Sequence, residues 1–133
     1  MMSERSYPAP QPNAETQVFW NAAAEGVLKI KNCRSCFRAH YYPRAICPHC
    51  GSDKTEWVVS EGVGEIYSVS VMRRGEGAPF AVAYVALDEG PAVLTNIVDC
   101  DPDSLAIGQR VRIAFKPSEE GAPPVPTFTP SGD

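Results

Sequence analysis

The spacing of hydrophobic and polar residues changes character twice along the chain. Residues 14–25 carry apolar side chains at Val18, Phe19, Ala22 and Ala23, a helical stripe from which Trp20 is displaced. Asn13 stands where a helix N-cap belongs, and Glu15 falls in the first turn, where the helix dipole favours an acid. Gly26 is a natural stop. The pattern predicts a helix over 14–25. A helix this short is marginal alone and must dock, by default on its own domain. Phe19-Trp20 also offers a large aromatic surface to a partner. Val27-Leu28-Lys29-Ile30-Lys31 then alternates apolar and basic as a strand does, and 37–42 reads as a second short strand.

From residue 55 onward period two dominates. Segment 65–72 sets Tyr67, Val69 and Val71 on one face and Ile66, Ser68 and Ser70 on the other. Segments 80–87 and 92–98 are apolar on both faces, which predicts cover on both sides. Segment 110–116 alternates, with Val111, Ile113 and Phe115 inward. Gly62, Gly64, Gly75, Gly77, Gly90 and Gly108 punctuate these runs, and Asp88-Glu89-Gly90-Pro91 reads as a hairpin turn. With a fifth candidate at 125–129, the strands suit a five-stranded OB-fold barrel, with an SH3-like barrel as the structural rival. Pro123, Pro124, Pro126 and Pro130 remove ladder donors, so a strand there is expected at an edge, anchored by Phe128. Pro8, Pro10 and Pro12 predict an extended N-terminal arm. The expected chain is mainly β: an arm over 1–13, a helix and metal module over 14–54, the barrel over 55–129, and a tail over 130–133.

The metal module rests on cysteines. Cys33-Arg34-Ser35-Cys36 is followed, ten residues later, by Cys47-Pro48-His49-Cys50-Gly51. Two such pairs each present two sulfurs from one short turn, and together they complete a tetrahedron. Thiolates are soft ligands, which points to zinc or iron and away from magnesium or calcium. So small a module has little apolar area, and ligation must supply much of its folding free energy. A closed four-thiolate site keeps no open position for substrate, so the metal is expected to be structural. His40 is a weaker ligand candidate beside four cysteines, and His49 is expected to be exposed. Cys100 reads as a small, buried apolar residue. Asp99, Asp101 and Asp103 alternate like calcium-loop ligands, but Ser104 and Arg110 stand where that loop needs Gly and Glu, so an acidic turn is expected.

Charge divides the chain unevenly. The net charge of -4 gives no overall attraction to nucleic acid. Residues 29–54 hold six bases and one acid, whereas 55–133 hold five bases and twelve acids. The metal module is thus basic even with four thiolates on a divalent ion, and a basic patch steers anionic partners. The start, Met1-Met2-Ser3-Glu4-Arg5, lacks an apolar run and no stretch approaches a membrane span, which predicts reduced thiols and a cytoplasmic location. There is no Gly-x-Ser-x-Gly elbow or Gly-rich phosphate loop, and Glu65, Glu76, Asp88 and Glu89 do not pair into an acid/base set.

Several motifs together resemble a known family: a rubredoxin-like zinc ribbon followed by an OB-fold, long labelled domain of unknown function thirty-five. The resemblance runs over about 19–128. It comprises Phe19-Trp20, Leu28-Lys29-Ile30, the two cysteine pairs, Tyr42-Pro43-Arg44, Trp57, the run from Gly62-Val63-Gly64 to Ser68, Leu87-Asp88-Glu89-Gly90, Ile107-Gly108-Gln109-Arg110-Val111 and Pro126-Thr127-Phe128. One departure is Phe37, where the family often has Gly; it alters a turn and leaves the ligands Cys33, Cys36, Cys47 and Cys50. The resemblance implies structural zinc and a non-catalytic role. Family members accompany thiolase-superfamily proteins acting on acyl-CoA: thiolases, acyltransferases, hydroxymethylglutaryl-CoA synthase and aldolases of steroid side-chain breakdown. They support that partner and help form its acyl-CoA site. The catalytic groups then belong to the partner, and Arg34, Arg38 and Arg44 would attract the phosphates of CoA.

Two other functions compete. Zinc ribbons and OB-folds both serve nucleic-acid binding, but the acidic barrel half opposes it, and Tyr67, Tyr84 and Phe115 read more simply as core than as stacking platforms. The second cysteine pair also looks like a rubredoxin knuckle, which suggests an iron-bound electron carrier but leaves the barrel unexplained.

Overall fold

The computed structural model describes residues 7–73, 78–119 and 121–131. The first half of the expected arm, Gly75, Glu76 and Gly77, and the end of the tail lie outside them.

One helix, α1 (Gln17–Ala24), precedes all strands. It is shorter than expected because the cap works one turn earlier. The Asn13 Oδ1 accepts from the amides of Glu15 (3.0 Å) and Thr16 (3.1 Å), closing a turn over 13–16 before the helix begins. Its other end follows the sequence: the Gly26 and Val27 amides donate back to the Ala23 and Ala22 carbonyls, both at 2.9 Å, a Schellman stop. Phe19, Ala22 and Ala23 are buried and Trp20 packs against the core, so this aromatic pair serves the chain's own interior first. Val18, expected on the buried stripe, faces solvent.

Three strands make the metal module: β1 (Lys29–Cys33), β2 (Ala39–His40) and β3 (Thr55–Val59), in the antiparallel order β2-β1-β3. The strand that follows residue 54 thus belongs by its pairing to the ribbon sheet, with Cys33 opposite Thr55 and Lys29 opposite Val59. The remaining five, β4 (Val63–Met72), β5 (Phe80–Leu87), β6 (Ala92–Ile97), β7 (Arg110–Lys116) and β8 (Val125–Pro130), close into a barrel in the order β4-β5-β6-β8-β7. A short 3-10 turn, Pro102–Ser104, lies between β6 and β7. This is the Greek-key closure of an OB-fold.

The barrel corrects three sequence expectations. Ile66 lies an odd number of residues from Val69, yet both contribute to the core. A β-bulge resolves the conflict: Ile66 pairs with Val85 and Ser68 pairs with Tyr84, leaving Tyr67 as the extra residue. Tyr67 is consequently 71 % exposed rather than in the core. Second, among the described residues β5 and β6 are covered on one face only. Ala81, Ala83, Val85, Leu87, Val93 and Ile97 point inward, while Tyr84 and Leu94 sit opposite each other on an open outer face. Third, β8 is not an edge. It pairs along its length with β7 and touches β6 at one register position, Ile97 to Phe128, so its prolines displace few ladder donors. Phe128 is fully buried there, as expected of an anchor.

Ribbon and barrel share one interior. Phe19, Leu28 and Ile30 join Ile66, Val85, Val111 and Phe128 in a single apolar cluster. The junction is also held by polar contacts: Ser60 Oγ donates to Glu89 (2.9 Å), and the Glu61 amide donates to the other oxygen of that carboxylate (3.0 Å). A metal fixed in the ribbon is therefore fixed relative to the barrel.

Candidate metal centre

Each cysteine pair forms a tight knuckle, and the two are built alike. In the first, the Ser35 amide donates to Cys33 Sγ (3.3 Å) and the Phe37 amide to the Cys33 carbonyl (3.0 Å). In the second, the His49 amide donates to Cys47 Sγ (3.3 Å) and the Gly51 amide to the Cys47 carbonyl (2.9 Å). Amides aimed at sulfur stabilise thiolate over thiol, which is the form that binds metal. Both knuckles place a left-handed residue directly after the second cysteine: Gly51 at φ 80° and Phe37 at φ 62°.

The sulfurs converge. All four lie within 4.8 Å of one another, with Cys33 to Cys50 at 3.6 Å and Cys36 to Cys47 at 3.8 Å. A tetrahedron with sulfur at ~2.3 Å from a central ion has edges of about 3.8 Å. Those two edges match that figure, so the donor set fits a tetrahedral thiophilic metal. Cys33 and Cys47 are buried. The Cys33 thiol is lowered to about 6 by the Cys36 amide first, against burial, and then by the Ser35 amide and the neighbouring sulfurs. Cys50 moves the other way, up to about 11: the Ser52 amide lowers it, but burial and the other three sulfurs outweigh that pull. A cation bound between the sulfurs would offset thiolate charge and favour the deprotonated form of all four ligands.

The surroundings assign the other expected residues. His40 is buried beside the site, its ring 6.5 Å from that of the exposed His49, and it is not part of the converging set. Burial first, then His49, holds its imidazolium pKa down. Arg34 and Arg38 stand exposed on the first knuckle, with no side-chain hydrogen bond or ion pair among the described residues. Arg44 is apart from them in role: it stacks on Tyr42 (4.7 Å) and faces Glu15 at 3.9 Å. Glu15, expected to serve the helix dipole, instead accepts from the Ala45 amide at 2.7 Å and ties the helix approach to the second knuckle. Sequence offered no signal for that contact beyond a lone acid ahead of a basic segment. The three aspartates of the acidic turn are engaged separately: Asp99 with Lys116, Asp103 with Arg73, and Asp101 with the Asp103 amide. Cys100 is half-buried against the core, and burial raises its thiol. No helix among the described residues is long and apolar enough to cross a membrane.

Comparison with known proteins finds the same two modules in the same order, with their boundary inside β3. Residues 20–56 match the rubredoxin-like zinc ribbon domain of ChsH2, and residues 57–116 match the ChsH2 C-terminal OB-fold domain. A DUF35 domain-containing scaffold protein of Methanothermobacter thermautotrophicus is 41% identical over 101 residues, covering 71% of this chain and 76% of the relative. The chain belongs to the DUF35 family. A second relative is a probable enoyl-CoA hydratase alpha subunit of Thermomonospora curvata, 34% identical over 108 residues and 78% of this chain. The match spans only 34% of that subunit. Among solved structures, a chain of the Ltp2-ChsH2(DUF35) aldolase superposes with a TM-score of 0.78 at 31% identity, covering 91% of this DUF35 chain and 98% of that chain. The ribbon, the barrel and their order are thus DUF35 features, and the four converging cysteines fall inside the zinc-ribbon match.

Proposed function

We propose that this chain is a non-catalytic subunit of an acyl-CoA enzyme, that its partner is a thiolase-superfamily protein, and that its four cysteines hold structural zinc. The observation that carries the reading is the near end-to-end likeness to a chain of the Ltp2-ChsH2(DUF35) aldolase. The acyl-CoA enzyme named in a second relative points the same way. The chain's own chemistry agrees, because the one cluster of convergent ligands among the described residues is a closed thiolate set that offers substrate no open position.

In this reading the ribbon is a rigid mount. It positions cationic side chains toward the partner's acyl-CoA site, where Arg34, Arg38 and Arg44 attract the phosphates of CoA. The open outer face of the barrel carries Tyr67, Tyr84 and Leu94, and tyrosine-rich apolar faces suit protein contact. The exposed tyrosines also suit base stacking, but the acidic barrel lacks the positive field that phosphate backbones require.

The test is the acyl-CoA activity of a thiolase-superfamily protein purified with and without this chain. Raised activity, or a partner that stays soluble only in the presence of the chain, is the expected result. Equal activity and solubility in both preparations would overturn the reading.

A further inference from the structure

Phe37 raises the free energy of the folded chain and packs on almost nothing within it. Its ring is 81 % exposed, and its backbone sits at φ 62°, a left-handed conformation that an L side chain resists. The second knuckle shows the unstrained solution to the same turn, with Gly51 at φ 80° and the same amide-to-carbonyl bond. A bulky aromatic held at a strained position without interior contacts points outward to a contact on another molecule.

Its surroundings describe that contact. Arg34 and Arg38 flank Phe37 and are exposed, with no side-chain partner among the described residues. Cys36 and Cys47 bring their sulfurs to 3.8 Å, so Phe37, which follows Cys36, and Ile46, which precedes Cys47, come from adjoining backbones. Ile46 is exposed as well. No acid occurs between Gly26 and Ser52. The metal end of the molecule therefore shows exposed apolar side chains, Phe37 and Ile46, beside two arginines that no carboxylate pairs among the described residues. A rigid, preorganised aromatic beside arginine is the make-up of an interface hot spot, because little conformational freedom is lost on binding.

We infer that the first knuckle is a docking anchor: Phe37 enters an apolar pocket of the partner acyl-CoA enzyme at the mouth of its CoA site, with Arg34 and Arg38 meeting the CoA phosphates at the rim. The inference rests on the subunit role proposed above and adds the residue that carries the contact. A protruding ring matches a recess, and the two nearby arginines, without side-chain partners among the described residues, match an anionic ligand bound at its edge.

The test is the affinity of the purified, metal-loaded chain for its thiolase-superfamily partner, by calorimetric titration with and without CoA on the partner. Phe37→Gly is expected to keep its metal and to unfold at or above the wild-type temperature, since Gly51 occupies the equivalent turn. It should bind the partner about ten- to a hundred-fold more weakly. Phe37→Leu, equally strained but apolar, should recover most of the affinity. CoA should tighten wild-type binding, and the Arg34→Ala/Arg38→Ala double variant should lose that tightening. The anchor is overturned if Phe37→Gly binds within about two-fold of wild type, or if the substitution only dissociates copies of this chain from one another. The placement at the CoA site is overturned if CoA leaves wild-type binding unchanged. A wild-type chain that fails to bind refutes the subunit role and the anchor together, whereas wild-type binding with unimpaired Phe37→Gly removes the anchor alone.

Discussion

Gly64 is the position where this barrel leaves no room for a side chain. A Cβ built there would lie 2.9 Å from the Ala86 carbonyl carbon and 3.0 Å from Leu87 Cα, and it would run into the Ala86 carbonyl oxygen. Carbon atoms rest at ~3.5 Å or more, so the nearer carbon contact falls roughly 0.6 Å short. Every obstructing atom is backbone, so no rotamer change relieves the overlap. Gly64→Ala must push β4 away from β5 where Gly64 pairs with Leu87, inside the longest antiparallel ladder of the barrel. Overpacking of this kind costs about 2–3 kcal/mol. For a chain of this size that lowers the thermal midpoint by about 6–15 °C. Gly51→Ala is the matched control: its φ is 80° but nothing lies within 4 Å of the added atom, so only the left-handed backbone opposes it, at about 1 kcal/mol. Differential scanning fluorimetry on the metal-loaded proteins separates the two. The steric argument is refuted if Gly64→Ala melts no lower than Gly51→Ala.

Two further outcomes follow from the ion-binding and charged groups. Cys33→Ser and Cys50→Ser should each reduce bound metal from one equivalent to near none by elemental analysis, and the wild type should be colourless with zinc; full metal content in either variant, or the visible absorbance of ferric thiolate, would contradict the zinc assignment. Arg110 grips both oxygens of Asp88 (2.9 and 2.8 Å) and holds its carboxyl below the ordinary 3.8. The unfolded chain therefore takes up this proton first on acidification, so the pair's contribution is fully present above the unfolded value and disappears as pH falls through the folded one. Denaturation curves of wild type and Asp88→Asn should differ at neutral pH and converge at the acid end; a constant gap would contradict the pairing.

What was legible in the sequence was local. The metal ligands come as two pairs, each closed by its own turn, so spacing alone identifies them. The extent of β7 is readable because alternation persists through it, that of β5 because a continuous apolar run lies between Pro79 and the Asp88-Glu89-Gly90 turn, and Phe128 stands out as the one large apolar residue among prolines. The misreadings involve contacts distant in sequence. Ile66 and Val69 stand an odd number of residues apart and yet share the core, and the bulge that allows it depends on the partner strand. The prolines of β8 suggested an edge because barrel closure against β6 needs a single register contact that no local pattern encodes. Asn13 was recognised as a cap, yet its turn ends before the helix starts, and Glu15 answers an amide thirty residues away. The apolar composition of β5 and β6 predicts cover on both faces, and among the described residues the outer face is open.

That open face, the exposed knuckle and the absence of a substrate position at the thiolate site share one explanation, a partner chain. The most direct measurement is light scattering on a size-exclusion column, run on this chain co-expressed with a thiolase-superfamily protein at micromolar concentration. The account predicts one peak containing both chains, with a mass equal to a whole-number complex. Two separate peaks, each with the mass of its own chain, would contradict it.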